Sequence, residues 1–146
     1  MIIVDSILHP SDFTENSAAA LRYARALSQL LGSTLHIVNI VEANASALTM
    51  ELGPPAPNER GPQAIGDRRM QRFLDRHGIT ADDVTAVSIS GDPHSEILGY
   101  AERHSIGMIV MGTHGRRSLA QILMGSVAER VVRASKCPVL TVPEER

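Results

Sequence analysis

The chain has 146 residues, with 14 Lys plus Arg against 16 Asp plus Glu, a formal net charge of -2, 43% hydrophobic and 21% charged residues. That length and balance fit a single domain over residues 1–146 with a core of its own and exclude a disordered chain. Two Phe, two Tyr and no Trp leave little material for a base-stacking sheet, and the near-neutral charge leaves none for a basic groove, so polymeric nucleic acid is excluded as the main ligand.

The one cysteine, Cys137, allows neither an internal disulfide nor a Cys-rich zinc site. No apolar run reaches the length of a membrane span, and the first residues lack the basic segment of a secretory signal. The sequence therefore predicts a cytoplasmic protein that engages no membrane.

In chain order, the β-branched segment from Ile2 to Leu8 predicts a buried strand, closed by Pro10-Ser11-Asp12. Thr14 as N-cap and Gly32 just past the end bracket a helix, with Ala20, Ala24, Leu27 and Leu31 spaced to lie on its inner face. Thr34 to Val41 is nearly all apolar, as a strand covered on both faces should be. The Pro-rich stretch at 42–62 carries Pro54, Pro55, Pro57 and Pro62 and predicts a long loop.

A helix over Ala64 to His77 should turn Met70, Phe73, Leu74 and His77 inward. Arg68, Arg72 and Arg76 form its other stripe, read as a solvated face alternating with Asp67 and Asp75 rather than as a patch for RNA or an acidic partner. Val84 to Ile89 predicts a third strand. Asp92 then stands as N-cap before Pro93 at the first position of a helix running to about His104. A strand over Met108 to Met111, a helix from Ser126 to about Lys136 with Val127, Val131 and Ala134 on one face, and a strand over Pro138 to Val142 complete the chain. Strands alternating with helices imply an α/β fold: an open five-stranded parallel sheet, Rossmann-like, with helices on both faces.

In such a sheet ligands bind outside the carboxyl ends of the strands, where the strand order reverses. Asp12 follows the first strand, a position where an acid can receive ribose hydroxyls; an Asx turn is its structural alternative. After the fourth strand come Gly112-Thr113-His114-Gly115-Arg116-Arg117 and then Gly125-Ser126, which opens the last helix. Glycines let backbone approach a phosphate, the first N–H groups of a helix point at it, and Arg116 and Arg117 add charge. The Ser126 hydroxyl can meet a phosphate oxygen or cap its own helix. No Gly-x-x-x-x-Gly-Lys-Ser/Thr, Gly-x-Gly-x-x-Gly or Gly-x-Ser-x-Gly is present, and the six histidines show no metal-ligand spacing. His114 lies inside the glycine loop, either packed on its neighbours or near a phosphate, and Cys137 reads as an inert thiol.

The spacing Gly112-x-x-Gly115, nine residues, Gly125-Ser126 resembles the ATP-binding signature of universal stress proteins. Leu8-His9-Pro10-Ser11-Asp12-Phe13-Thr14, Val110-Met111-Gly112-Thr113-His114-Gly115 and Ser135-Lys136-Cys137-Pro138-Val139-Leu140 are similar to further segments of that family. The resemblance implies a fold of the adenine nucleotide alpha hydrolase-like type and ATP as ligand, with Mg2+ or Mn2+ held mainly by the phosphates. It implies that Asp12, beside Pro10 and Ser11, receives the ribose hydroxyls and that the backbone at Ile40 reads the adenine edge. It places Met111, Gly112, Gly115, Gly125, Ser126 and Val127 against ribose or phosphates, with His114 and Arg116 beside them. Gly107 stands where many relatives have Asp, and Arg116 where some have Lys. The family also implies a homodimer through the strand at 138–142.

Three functions follow as expectations. The first is a stress-response or regulatory module whose partners depend on bound ATP. The second is a slow ATPase in which Asp12 or His114 orients water, and the third a nucleotide-free relative acting through its dimer surfaces. No residue is assigned a catalytic or metal-ligating role.

Overall fold

Strand and helix alternate through the computed structural model, which describes residues 1–42, 61–114 and 124–144. The elements are β1 (Ser6–Pro10), α1 (Glu15–Leu31), β2 (Thr34–Val41), α2 (Pro62–Arg76), a 3-10 turn (Ala81–Asp83), β3 (Thr85–Ser90), α3 (Pro93–Arg103), β4 (Met108–Gly112), α4 (Ser126–Ala134) and β5 (Val139–Val142). The strands form one sheet in the order β3-β2-β1-β4-β5, and every pairing is parallel. The chain thus builds outward from β1 to one edge, returns, and builds to the other. The strand order reverses between β1 and β4.

Both faces of the sheet are covered, which is why the strands carry nearly continuous apolar runs. Alternate residues serve the two faces. Ile7, Leu35, Ile37, Val110 and Val142 pack with α1 and α2, whereas Leu8, Val38, Ile109 and Met111 pack with α3 and α4. Fully burying a side chain of this size contributes about 1.5 to 3 kcal/mol, so the two cores hold the layers together.

Local signals set most of the boundaries. Gly32 ends α1 in the left-handed region at φ 66°, with its N–H donating to the Ser28 carbonyl. Asp92 caps α3, its carboxylate accepting from the Ser95 N–H at 3.3 Å, with Pro93 at the first helical position.

Several expectations are corrected. β1 begins at Ser6, and Ile2 and Ile3 are 92% and 65% exposed, because the β1 ladder to β2 starts at Ser6↔Thr34 and no strand among the described residues pairs with those before it. On α1, Ala20 and Ala24 are buried as expected and Leu27 packs against the same core, joined by Ser17, Leu21 and Ser28, but Leu31, the last helical residue, is 51% exposed. α2 starts two residues earlier than expected, at Pro62, and ends before His77, which is half-buried beside Phe73. Arg69 of α2 is buried over the Phe13 ring, and Arg68 is half-buried, so only Arg72 and Arg76 of the expected stripe are exposed. α4 ends at Ala134, which is exposed; its inner pair is Ala128 and Val131, with Val127 half-buried beside them. Most of the Pro-rich stretch at 42–62 lies outside the described residues.

Candidate functional site

The β1 ladder comes apart at its carboxyl end for a reason visible in the sequence. Ile109 gives its N–H to Pro138 on the β5 side at 2.9 Å, so alternation along β4 turns the carbonyl of Val110 toward β1. The register Leu8↔Ile109 puts the donor for that carbonyl at position 10, and Pro10 has no N–H. His9 replaces it: its Nδ1–H donates to the Val110 carbonyl at 2.9 Å from a fully buried ring. The bond makes Nδ1 the protonated nitrogen and leaves Nε2 a buried acceptor without a partner among the described residues. Burial, which outweighs this hydrogen bond and the nearby Asp12, pushes the His9 pKa down to about 4, so the ring is neutral at physiological pH.

Beyond Pro10 the chain turns through a knot of short hydrogen bonds. The Ser11 N–H donates to Val38 at 2.8 Å, and the Phe13 N–H to Ser11 Oγ at 3.1 Å. The Ser17 hydroxyl donates to the Thr14 carbonyl at 2.9 Å, so in the 3.1 Å contact between Ser11 Oγ and Ser17 Oγ the proton comes from Ser11. Asp12 Oδ1 accepts the Thr14 N–H at 3.0 Å and the Thr14 hydroxyl at 2.5 Å. Thr14 therefore stands at the N-cap of α1 without capping it through its side chain. The Asx turn accounts for Oδ1 only. Asp12 Oδ2 is buried and has no hydrogen-bond partner among the described residues. Phe13 follows at φ 64°, a strained conformation for an aromatic residue, held by its ring against Phe73 at 4.9 Å and under the Arg69 guanidinium at 5.0 Å.

Ile40 faces this turn from β2. Val41 accepts the Gly91 N–H at 3.1 Å on the β3 side, whereas Val38 accepts from Ser11 on the β1 side. Alternation then directs the N–H and C=O of Ile40 toward β1, past its last paired residues, Pro10↔Val38.

Across the crevice, Met111 is buried and Gly112 ends β4. The Gly125 N–H donates to the Thr113 carbonyl at 2.6 Å, which brings the segment leaving β4 and the start of α4 together. Thr113 Oγ1 lies 2.9 Å from His114 Nδ1. Gly125 is the N-cap, so Ser126 is the first helical residue, exposed, and of its two alternatives the helix cap is ruled out. Gly115 and Arg116, with the rest of 115–123, lie outside the described residues. The start of α4 offers N–H groups and the positive end of a helix dipole, a setting that suits an anion.

The sequence points to Pro10, Ser11, Asp12, Ile40, Met111, Gly112, His114, Gly125, Ser126 and Val127, and all of them fall on three adjacent carboxyl ends and the helix that follows β4. Sequence reasoning misses His9 and Asn39. Each is a polar residue inside an apolar strand pattern, and that break in the pattern was the available signal.

Comparison with known proteins fits this architecture. Residues 4–143 match the universal stress protein family. The chain is 27% identical to the universal stress protein MJ0577 of Methanocaldococcus jannaschii, over 97% of this chain and 96% of that one. It is 29% identical to a universal stress protein of Thermus aquaticus, over 94% of this chain and 97% of the relative. The solved structure of MJ0577 superposes with a TM-score of 0.76 over 99% of both chains. A universal stress protein solved in complex with cAMP shares the fold at 20% identity, with a TM-score of 0.64 over 98% of this chain and 99% of that one. With nearly its whole length matched on a five-stranded parallel sheet, the chain belongs to the universal stress protein family.

Proposed function

We propose that this universal stress protein binds ATP and acts as a nucleotide-dependent stress-response or regulatory module. The observation that carries the reading is Asp12 Oδ2, a buried acceptor without a partner at the point where the strand order reverses. A carboxylate oxygen left bare inside a protein is costly, and ribose hydroxyls supply the donors it lacks. The backbone of Ile40 would read the adenine edge. The N–H groups of Gly112, Ser126 and Val127 would face the phosphates, with Met111 beneath the ribose and Gly115 and Arg116 completing the loop. Mg2+ or Mn2+ would be carried by the phosphates. The nucleotide complex of a relative, cAMP in a universal stress protein, supports a nucleotide in a fold of this kind. In the same reading two copies pair through β5, an edge strand on which Leu140 is 38% exposed.

Thermal unfolding with and without magnesium ATP tests this. ATP at about 100 times its Kd should add roughly 2.7 kcal/mol, a rise of about 5 to 10 °C in a chain of this size. GTP should give less. Gly125 has φ -68°, which valine tolerates, so Gly125→Val, with its fold checked by unfolding without ligand, should lose the ATP shift because its side chain meets the phosphates. An unchanged shift in that variant overturns the phosphate assignment, and ADP released over many turnovers favours the slow ATPase.

A further inference from the structure

Asn39 sits in the middle of β2, 2% exposed, where the pattern of the strand calls for an apolar side chain. It points to the α1 and α2 side with Ile37 of the core and Val41, which lies against Gly66 of α2, and Ser88 of β3 is its register partner. Its Nδ2–H donates to the Ser11 carbonyl at 2.8 Å. Its Oδ1 is buried with no hydrogen-bond partner among the described residues. The orientation of the amide is set by the Ser11 carbonyl, which can only accept. An asparagine with half its amide unsatisfied is a poor choice for stability alone, since an apolar residue of the same size would leave no bare oxygen.

The bond it makes has a second effect. The Ser11 N–H is still given to Val38, so a regular parallel ladder would continue with the Ile40 N–H donating to the Ser11 carbonyl. That carbonyl accepts the Asn39 side chain instead. A side chain thus stands where a backbone rung belongs. It ties the turn carrying Asp12 to β2 and holds it clear of Ile40. On the other side of the same turn, His9 makes the matching substitution toward Val110, in place of the rung that Pro10 cannot make.

We infer that Asn39 is a positioning residue that ends the β1–β2 ladder one rung early, leaving the Ile40 backbone edge and the Asp12 carboxylate open together to one nucleoside. This rests on the nucleotide reading above and adds to it the device that couples base recognition to ribose recognition. Asn39 itself touches no ligand in this arrangement.

The test combines two readouts on Asn39→Leu and on the smaller Asn39→Ser, with thermal unfolding to show that each variant folds. In nucleotide-free protein, exchange of the Ile40 amide hydrogen, followed by NMR, should be fast in the parent and at least tenfold slower in either variant, as the ladder closes onto Ser11. Dissociation constants for ATP and 2′-deoxy-ATP should differ by about tenfold or more in the parent, as expected for a hydrogen bond to a charged group. That ratio should fall toward one in the variants. A loss of packing alone would weaken both nucleotides equally and leave the ratio unchanged. Equal protection of Ile40 in parent and variants, or an unchanged ratio, overturns the role of Asn39 while the nucleotide reading stands. A parent protein without affinity for either nucleotide overturns that reading, and this inference with it.

Discussion

The two faces of the sheet are built from the same strands and differ in what they bury. Toward α3 and α4 the carboxyl-terminal halves of the strands present Val38, Ile40, Val87, Ile89, Ile109 and Met111, an apolar surface. Toward α1 and α2 the corresponding positions mix apolar Val41, Val110 and Val142 with His9, Asn39 and Ser88, each of these three buried and each with one polar atom lacking a hydrogen-bond partner among the described residues. Asp12 adds a fourth such atom at the end of β1. One face is closed by hydrophobic packing, and the other carries unsatisfied acceptors up to the crevice where the strand order reverses. Burial without satisfaction costs stability, so the polar face is where the fold has given up stability for something other than packing.

The largest test of that contrast is acid. His9 has a folded pKa of about 4, below its ordinary 6.5, so as pH falls the unfolded chain takes the proton first. The stability tied to the neutral ring is complete above about pH 6.5 and is lost as pH falls toward 4, a decline of about 3 kcal/mol for a shift of this size. Half-buried His36 and His77, both also lowered by desolvation, add smaller slopes of the same sign. Urea unfolding at pH 7 and pH 4.5 should show the loss. His9→Leu should be less stable at pH 7, because Val110 loses its donor, yet clearly flatter with pH. An equally steep profile in that variant would place the acid sensitivity elsewhere.

Next in size is the closeness of the helix on the polar face. A Cβ on Gly66 of α2 would lie 2.7 Å from Val41 Cγ2 and 2.8 Å from Ser88 Cβ, so the helix sits on β2 and β3 at a distance only glycine allows. Gly66→Ala should cost about 1 to 3 kcal/mol in denaturant unfolding despite the better helix propensity of alanine. The smallest effect belongs to the apolar face. A Cβ on Gly99 of α3 would meet only the end of the Arg103 side chain, at 2.9 Å, which can swing away. Gly99→Ala should then be neutral or stabilise by up to about 1 kcal/mol. If the two alanines behaved alike, the close seating of α2 on β2 and β3 at Gly66 would be overturned, with Gly99→Ala as the control for helix propensity alone.

Much of the fold was legible because its signals are local. The left-handed Gly32 after α1, the Asp92-Pro93 start of α3 and the apolar run of β2 each act within a few residues, and each lies where the sequence indicates. The errors came where the environment decides. Ile2 and Ile3 have strand-forming side chains but pair with no strand among the described residues, and Leu31 fits the helical period but is half exposed at the last residue of α1. Thr14 occupies the cap position and spends its hydroxyl on Asp12. Glycine spacing and Asp12 marked the candidate site, since turn chemistry is written in residue type. His9 and Asn39 escaped notice because a polar residue within a strand gains meaning only from the carbonyl it reaches on another strand.

The sequence by itself determined that strands and helices alternate, hence that the sheet is parallel and open, because periodicity and capping residues act on the chain locally. It also determined that Pro10 cannot supply a rung to β4. Only the tertiary structure decided that His9 and Asn39 would fill or forestall rungs on either side of β1. Hydrogen bonds between residues 28 and 101 positions apart in the chain depend on strand order and register, and those are set when the whole core packs.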